Sequence, residues 1–475
     1  MKRSACTSVL VGKRASLDGS VMIARNEDFY SVIDRKIFKV FKATEEENRK
    51  YTSENTKVTV DLPSKAYRYT ATPSEDPDEI GVYSESGINE KNVAVSATES
   101  LYGNSRVLSL DPLIKDGIAE DAINDIVTPF IDSAREGVVF LGNLIAKHGS
   151  AEGNGILFAD KDEAWYMEIP TGHHWVAVRI PDDCYAVAPN HVCIEQVDFN
   201  DEEDYLWSDN IRDFVEKNNL NPDYKGFCFR RIFGTYSESD RVYNTPRAWY
   251  AHRYLNPKTE YDPTSGDIPF IQKPERKITV EDVQFILSSH YNETVYDPLG
   301  KEGSELERKK FRAISLSRTQ QSHILQIRND IDAGVAAIHW LAFATTAFTP
   351  YVPFFANVND SPASYKNMTK DLNLKNAYWL FKVFSYYAEE HYGEFYKDTE
   401  EFLSQIEIYA RQRINEITQG AEGKESSLLT DYLTLENEKT ADEIIKRTKK
   451  QLQNYATRAL SFSRLSFKMD KNLIE

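Results

Sequence analysis

Residues 6–28 read "CTSVLVGKRASLDGSVMIARNED", and the way they fold decides what the rest of the chain must build. Two runs, "TSVLVG" and "SVMIARN", are rich in apolar and β-branched residues and read as strands. Between them "SLDGS" carries Asp18-Gly19, a hairpin signal, because glycine tolerates the positive φ of a tight two-strand turn. The spacing predicts neighbouring antiparallel strands, with Cys6 at the start of the first and Arg25 brought beside it. Further runs in the first hundred residues, "KIFKVF", "KVTVDL", "YRYTAT" and "NVAVSATES", are each bounded by turn formers and continue the strand-rich pattern.

From Ile118 to His148 the period becomes helical, with Ile123, Ile126, Val127, Phe130 and Ile131 on one stripe, and "VVFLGNLIAKHG" then ends at a glycine stop. Strand-like runs resume in "GILFADKDEAWYMEIPTGHHWVAVRI" and "CYAVAPN" as an antiparallel meander. Residues 195–275 are polar and read as an insertion of loop rather than core, and "SHILQIR", "VAAIHWLAFA" and "YVPFFANV" return to strand. From about Lys366 onward, long helices are expected. The order is α+β, with antiparallel sheets sandwiched between helical layers, and the missing βα alternation excludes Rossmann and TIM-barrel folds.

The chain has 475 residues, 41% of them hydrophobic, and a net charge of -17, so it is large enough for a sizeable core and repels phosphate backbones. Nucleic acid is excluded as a partner. The longest apolar run, Ile338–Phe348, is too short to span a bilayer, and residues 1–5 hold no secretory apolar region, so the expected location is the cytoplasm, with no membrane partner. Cys6, Cys184, Cys193 and Cys228 form no C-x-x-C pair, which gives a disulfide framework or zinc site little support; the last three read as buried free thiols. No cofactor or metal is expected.

Cys6 has an ordinary reading, a buried strand residue, and a chemical one, in which cleavage before it removes "MKRSA". A free α-amine has a pKa of about 7.7–8.0, so it can take the thiol proton and return it to a leaving amine, as histidine does in a catalytic triad. Arg25 would favour thiolate over thiol, and Asp28 would hold the α-ammonium through a charge-assisted hydrogen bond.

A Cys-Thr strand, a turn, then Arg-Asn-x-Asp resembles the opening of the N-terminal-nucleophile hydrolases related to penicillin V acylase and conjugated bile acid hydrolase. "DGSVMIARNED", "ESGINEKNVAVSATES", "GHHWVAVRIPDDCYAVAPNH" and "SLSRTQQSHILQIR" are similar to one branch of them, the cysteine dipeptidases of the dipeptidase A family, and the likeness covers most of the chain. The resemblance implies an αββα four-layer sandwich with a helical C-terminal extension. It implies dipeptide substrates, Cys6 as nucleophile, Arg25 as thiolate partner, Asp28 as amine anchor and Asn190, in "APNH", as an oxyanion-hole donor. It also implies a second arginine after a Tyr-Ser segment, where "TYSESDRVYNTPRAW" offers Arg241 and Arg247. Arg247 is favoured because it begins a helix-like run, although spacing does not separate the two. The acylases lose only the initiator methionine, whereas this chain must be cut between Ala5 and Cys6; an N-to-S acyl shift by the Cys6 thiol is the expected route. The implied organisation is a removable propeptide 1–5, a catalytic domain 6–365 and a helical region 366–475. The alternatives are an acyl-amide hydrolase on the same fold and a non-catalytic scaffold.

Other signals are weaker. His173-His174 are expected in a strand, on opposite faces, as structural histidines. "GSAEGNG" lacks the lysine of a phosphate loop and reads as a mobile turn. "EQVDFNDEED" is a solvated acidic loop, with attraction of a substrate ammonium as its functional alternative. Lys439–Lys471 carries nine Lys/Arg against three Asp/Glu and reads as a docked helix with a basic face, in keeping with a homo-oligomer.

Overall fold

The computed structural model describes residues 6–75, 84–99, 101–462 and 465; the expected propeptide 1–5, and with it the Ala5–Cys6 bond, lies outside the described residues, as do residues 466–475. Strand Thr7–Val11 pairs antiparallel with Val21–Asp28, Thr7 opposite Asn26 and Ser8 opposite Arg25, and Gly19 in the connection has a φ of 75°. The two strands pair as expected, but through the longer connection 12–20, which turns at Gly12–Ser16, where Ala15 N donates to Gly12 O at 2.9 Å, so Asp18-Gly19 is not a tight two-residue turn.

That hairpin lies in the middle of a seven-stranded sheet ordered Ile271–Gln272, Tyr185–Ala188, Thr7–Val11, Val21–Asp28, Thr319–Ile327, Ala337–Phe343 and Val352–Phe355. A second, eight-stranded sheet runs Tyr205–Trp207, Val176–Ile180, Ala164–Ile169, Asn154–Ala159, Ala94–Glu99, Ser84–Asn89, Tyr69–Pro73 and Lys39–Phe41. Every neighbouring pair in both is antiparallel.

Side-chain alternation gives each strand two apolar faces. Leu10, Val21 and Ile23 point inward to meet Leu157, Ala159 and Tyr166 of the second sheet, while Val9, Val11, Met22 and Ala24 point outward against helices Thr245–Leu255 and Val280–Leu287. On the far side Val95, Ile156, Phe158 and Trp165 pack under helices Glu120–Val127 and Ala134–His148. The layers are therefore helix, sheet, sheet, helix. Gly149, with φ 71°, ends helix Ala134–His148, as its position at the end of the run predicts.

Helices Ala377–Glu390, Tyr392–Ala421 and Ser426–Ala459 follow, closing a further core in which Phe343 and Phe354 meet Trp379, Phe384, Ile444 and Tyr455. Helix Ser426–Ala459 covers the edge strand Val352–Phe355, where the buried Asn437 side chain accepts from Phe355 N at 3.0 Å and donates to Phe355 O at 3.0 Å. No helix among the described residues is long and apolar enough to cross a membrane, and no group of three or more His, Cys, Asp or Glu there is arranged to hold a metal ion.

Four local expectations need correction. His173 and His174 precede strand Val176–Ile180 instead of lying in it, because Asp111 accepts from both of their backbone nitrogens and holds them out of the ladder; His173 Nδ1 lies 2.8 Å from Asp111 Oδ1 and His174 Nδ1 3.1 Å from Ser208 Oγ. The turn at 149–155 is pinned by backbone bonds from Ser150 N to Gly172 O at 2.7 Å and from Ile118 N to Gly149 O at 2.8 Å. The stretch 195–275 contributes to the core: Phe229, Ile232 and Phe233 join the cluster that includes the inward faces of the two sheets, and Trp249 and Leu255, on the outer helix Thr245–Leu255, join the cluster on the outer face of the first. All four cysteines are free, and Cys184 is partly exposed where the other three are buried.

Candidate active site

Cys6 sits immediately before the central strand Thr7–Val11 and is buried. Alternation points Arg25 inward, across the gap between the sheets. Its Nη1 donates to Cys6 Sγ at 3.2 Å and lies 2.8 Å from Glu85 Oε2 and 3.9 Å from Glu120 Oε1, while Nε donates to Ser96 Oγ at 2.9 Å and Nη2 to Glu85 O at 3.3 Å. One guanidinium is thus shared between a sulfur and two carboxylates. Burial pushes the Cys6 thiol up to about 11; Arg25 opposes this, and Glu120, Glu85 and Asp28 reinforce it. Burial is the largest of these effects, Arg25 acts in the expected direction, and the negative neighbours divide its charge.

Asp28 ends the second strand and is fully buried; its carboxylate accepts from the Arg312 guanidinium and the Thr319 hydroxyl. Asn190 follows strand Tyr185–Ala188, which pairs with the first strand on its other side. Its backbone oxygen accepts from Asn244 Nδ2 at 3.0 Å and its side-chain Oδ1 from Arg247 Nη2 at 2.6 Å, and its buried Nδ2 has no partner among the described residues. That leaves an amide donor held by its own oxygen, free to meet a developing negative charge.

Arg247 lies in the first turn of helix Thr245–Leu255. Its Nη1 donates to Cys6 O at 2.6 Å and Thr7 Oγ1 at 2.9 Å, its Nη2 also to Asn244 Oδ1 at 2.8 Å, and its Nε to Tyr243 O at 2.9 Å. Burial, then the nearby Arg312, bring it down to about 9. Arg241 instead pairs with Glu238 at 3.4 Å with its side chain 59% exposed. The fold therefore joins Cys6, Arg25, Asp28, Asn190 and Arg247 and leaves Arg241 at the surface.

Sequence reasoning missed the surrounding groups. Glu85, Glu120 and Ser96 approach from the second sheet and its helix, and Arg312 and Thr319 from the segment before and at the start of strand Thr319–Ile327. Glu85 stands within the quoted "ESGINEKN", but nothing local marks it as a partner of Arg25.

The sequence model of Peptidase family C69 matches residues 5–405. The chain belongs to peptidase family C69. Among its relatives are a probable dipeptidase of Latilactobacillus sakei, 50% identical over 99% of this chain and 98% of that protein, and dipeptidase A of Lactobacillus helveticus, 38% identical over 94% of this chain and 95% of that protein. Penicillin V acylase from Agrobacterium tumefaciens, a solved structure, is 13% identical with a TM-score of 0.31, over 74% of this chain and 86% of that one. The layered fold of this C69 peptidase rests on its own strand pairing, and its site on the contacts around Cys6.

Proposed function

We propose that this C69 peptidase hydrolyses dipeptides, using Cys6 as an N-terminal nucleophile once residues 1–5 are removed. The observation that carries the reading is the single Arg247 guanidinium that grips both the Cys6 carbonyl and the Asn190 amide oxygen. It ties the sulfur's own residue to a buried amide donor. The names of the relatives, dipeptidases in each case cited, point the same way.

In the precursor the α-nitrogen of Cys6 is an amide and no base. Attack of Sγ on the Ala5 carbonyl carbon forms a C–S bond, breaks the C–N bond and passes the thiol proton to the departing nitrogen. Water then hydrolyses the thioester, releasing residues 1–5 as a carboxylate and leaving a free amine beside a free thiol. In the mature enzyme that amine takes the Sγ proton as sulfur attacks the dipeptide carbonyl, Asn190 Nδ2 donates to the oxyanion, and Asp28 holds the resulting ammonium. The ammonium protonates the leaving amino acid, and the amine then activates the water that frees the acyl group.

The proposal divides the chain into leader 1–5, catalytic domain 6–365 and helical region 366–475. It places the enzyme in the cytoplasm, where free thiols stay reduced, and light scattering reads the subunit number of the expected homo-oligomer. Cys6→Ala should abolish both dipeptide turnover and loss of the leader, followed by amino-acid release and intact mass. Turnover retained in that variant removes Cys6 from the mechanism, and turnover of acyl amides in preference to dipeptides moves the substrate to the acylase class.

A further inference from the structure

Behind Arg25 lies a buried chain of charge that the catalytic cycle above does not use. Glu85 Oε2 is 2.8 Å from Arg25 Nη1, and its Oε1 is 3.8 Å from Lys36 Nζ, which in turn lies 2.5 Å from Glu27 Oε1 and 3.4 Å from Asp34 Oδ2. Arg25, Lys36, Glu27, Asp34, Glu85 and Glu120 are all buried. Among the described residues two cations thus face four carboxyl groups. The other strand against them, Thr319–Ile327, offers only neutral partners, with His323 bonded to Ser96 Oγ at 2.9 Å and Gln321 donating to Glu27 at 2.8 Å. On the opposite side of the sulfur the charged groups are Asp28, clamped by Arg312, and Arg247, aimed at the Cys6 carbonyl.

A guanidinium that gives the same nitrogen to a sulfur at 3.2 Å and a carboxylate at 2.8 Å does not act as a full positive charge on the sulfur. We propose that Glu85, seconded by Glu120, is a positioning residue that claims Arg25 and so keeps Cys6 a protonated thiol until the adjacent α-amine takes its proton. Arg25 then orients the sulfur, and the new amine alone activates it. During leader removal the thiol passes its proton directly to the departing nitrogen, and afterwards the buried acids leave activation of the sulfur to the freed amine. The inference rests on the reading of Cys6 as nucleophile, but its test does not need a substrate.

The test is the pH dependence of Cys6 alkylation by iodoacetamide, with the label located by peptide mapping and chains matched for leader content by intact mass. Glu85→Gln keeps an oxygen to accept from Arg25 and removes the charge; the midpoint for Cys6 should fall by about one pH unit or more, while that for the buried Cys193 stays where it is. Glu85→Asp should restore the wild-type midpoint. An unmoved or raised midpoint in Glu85→Gln overturns the inference, as does an equal shift at Cys193, which would mark general loosening. If Glu85→Gln does not fold, as judged by thermal unfolding, Glu120→Gln removes the carboxylate more distant from Arg25 and should also lower the midpoint; a midpoint that holds or rises there also overturns it. A wild-type protein that splits no dipeptide would defeat the proposed substrate and leave the alkylation result standing.

Discussion

Replacing Asn190 with alanine removes a buried amide nitrogen that already stands without a partner among the described residues, so the oxyanion of the proposed mechanism loses its donor, and it also removes the oxygen that accepts from Arg247, so stability falls with it. Steady-state dipeptide hydrolysis should show kcat down by about 10²–10³-fold with KM little changed. The two arginines of "DRVYNTPRAW" make a sharper contrast. Arg241→Ala breaks an exposed ion pair and should leave stability within about 0.5 kcal/mol and activity intact. Arg247→Ala strips donors from the oxygens of Cys6, Tyr243, Asn190 and Asn244, and urea unfolding should record a loss of about 2 kcal/mol or more together with lost turnover. Cys6, Arg25 and Asp28 were legible in the sequence because a hairpin and strand alternation are local properties. Glu85 and Glu120 were not, since they reach Arg25 from the opposite sheet, and an acid in a strand or at a helix start carries no mark of the arginine it will meet.

Among the elements, the docking of helix Ser426–Ala459 on strand Val352–Phe355 is the one that closes an open sheet edge. Asn437 offers the Phe355 backbone one donor and one acceptor, as another strand's peptide would, and so satisfies groups that invite pairing with a second molecule. Asn437→Leu keeps the volume and leaves both backbone groups orphaned. The expected outcome is a loss of about 2 kcal/mol or more in urea unfolding, with increased light scattering on mild heating. The helices themselves were readable from their apolar stripes. Their break at His391, between Ala377–Glu390 and Tyr392–Ala421, was not, because the stripe continues across it. Asparagine is a poor helix interior residue, and only its partner strand, far back in the chain, explains its place at 437.

For the whole molecule, two partly buried carboxyl groups beyond the shell of Cys6 contribute to a pH dependence. Burial pushes Asp125 up to about 7 and Glu152 up to about 8, so between their ordinary range near pH 4 and those values the folded protein holds protons that the unfolded chain has released. The stability they contribute is complete below the ordinary range and is lost as pH rises through 7 and 8. Thermal midpoints should fall over that interval, and Asp125→Asn, which still accepts from the Tyr69 hydroxyl, should flatten the slope. The long reach of the central hairpin has another consequence. The strand that begins beside Cys6 pairs with Tyr185–Ala188 and is gripped by Arg247, 241 residues further on. A ribosome adding about 5–20 residues per second takes roughly 12–48 s to cover that interval. Until Arg247 is made the nascent polypeptide carries a sulfur without that grip, and before residue 188 it lacks the flanking strand as well, so under the proposed mechanism a half-synthesised copy cannot cut a neighbour.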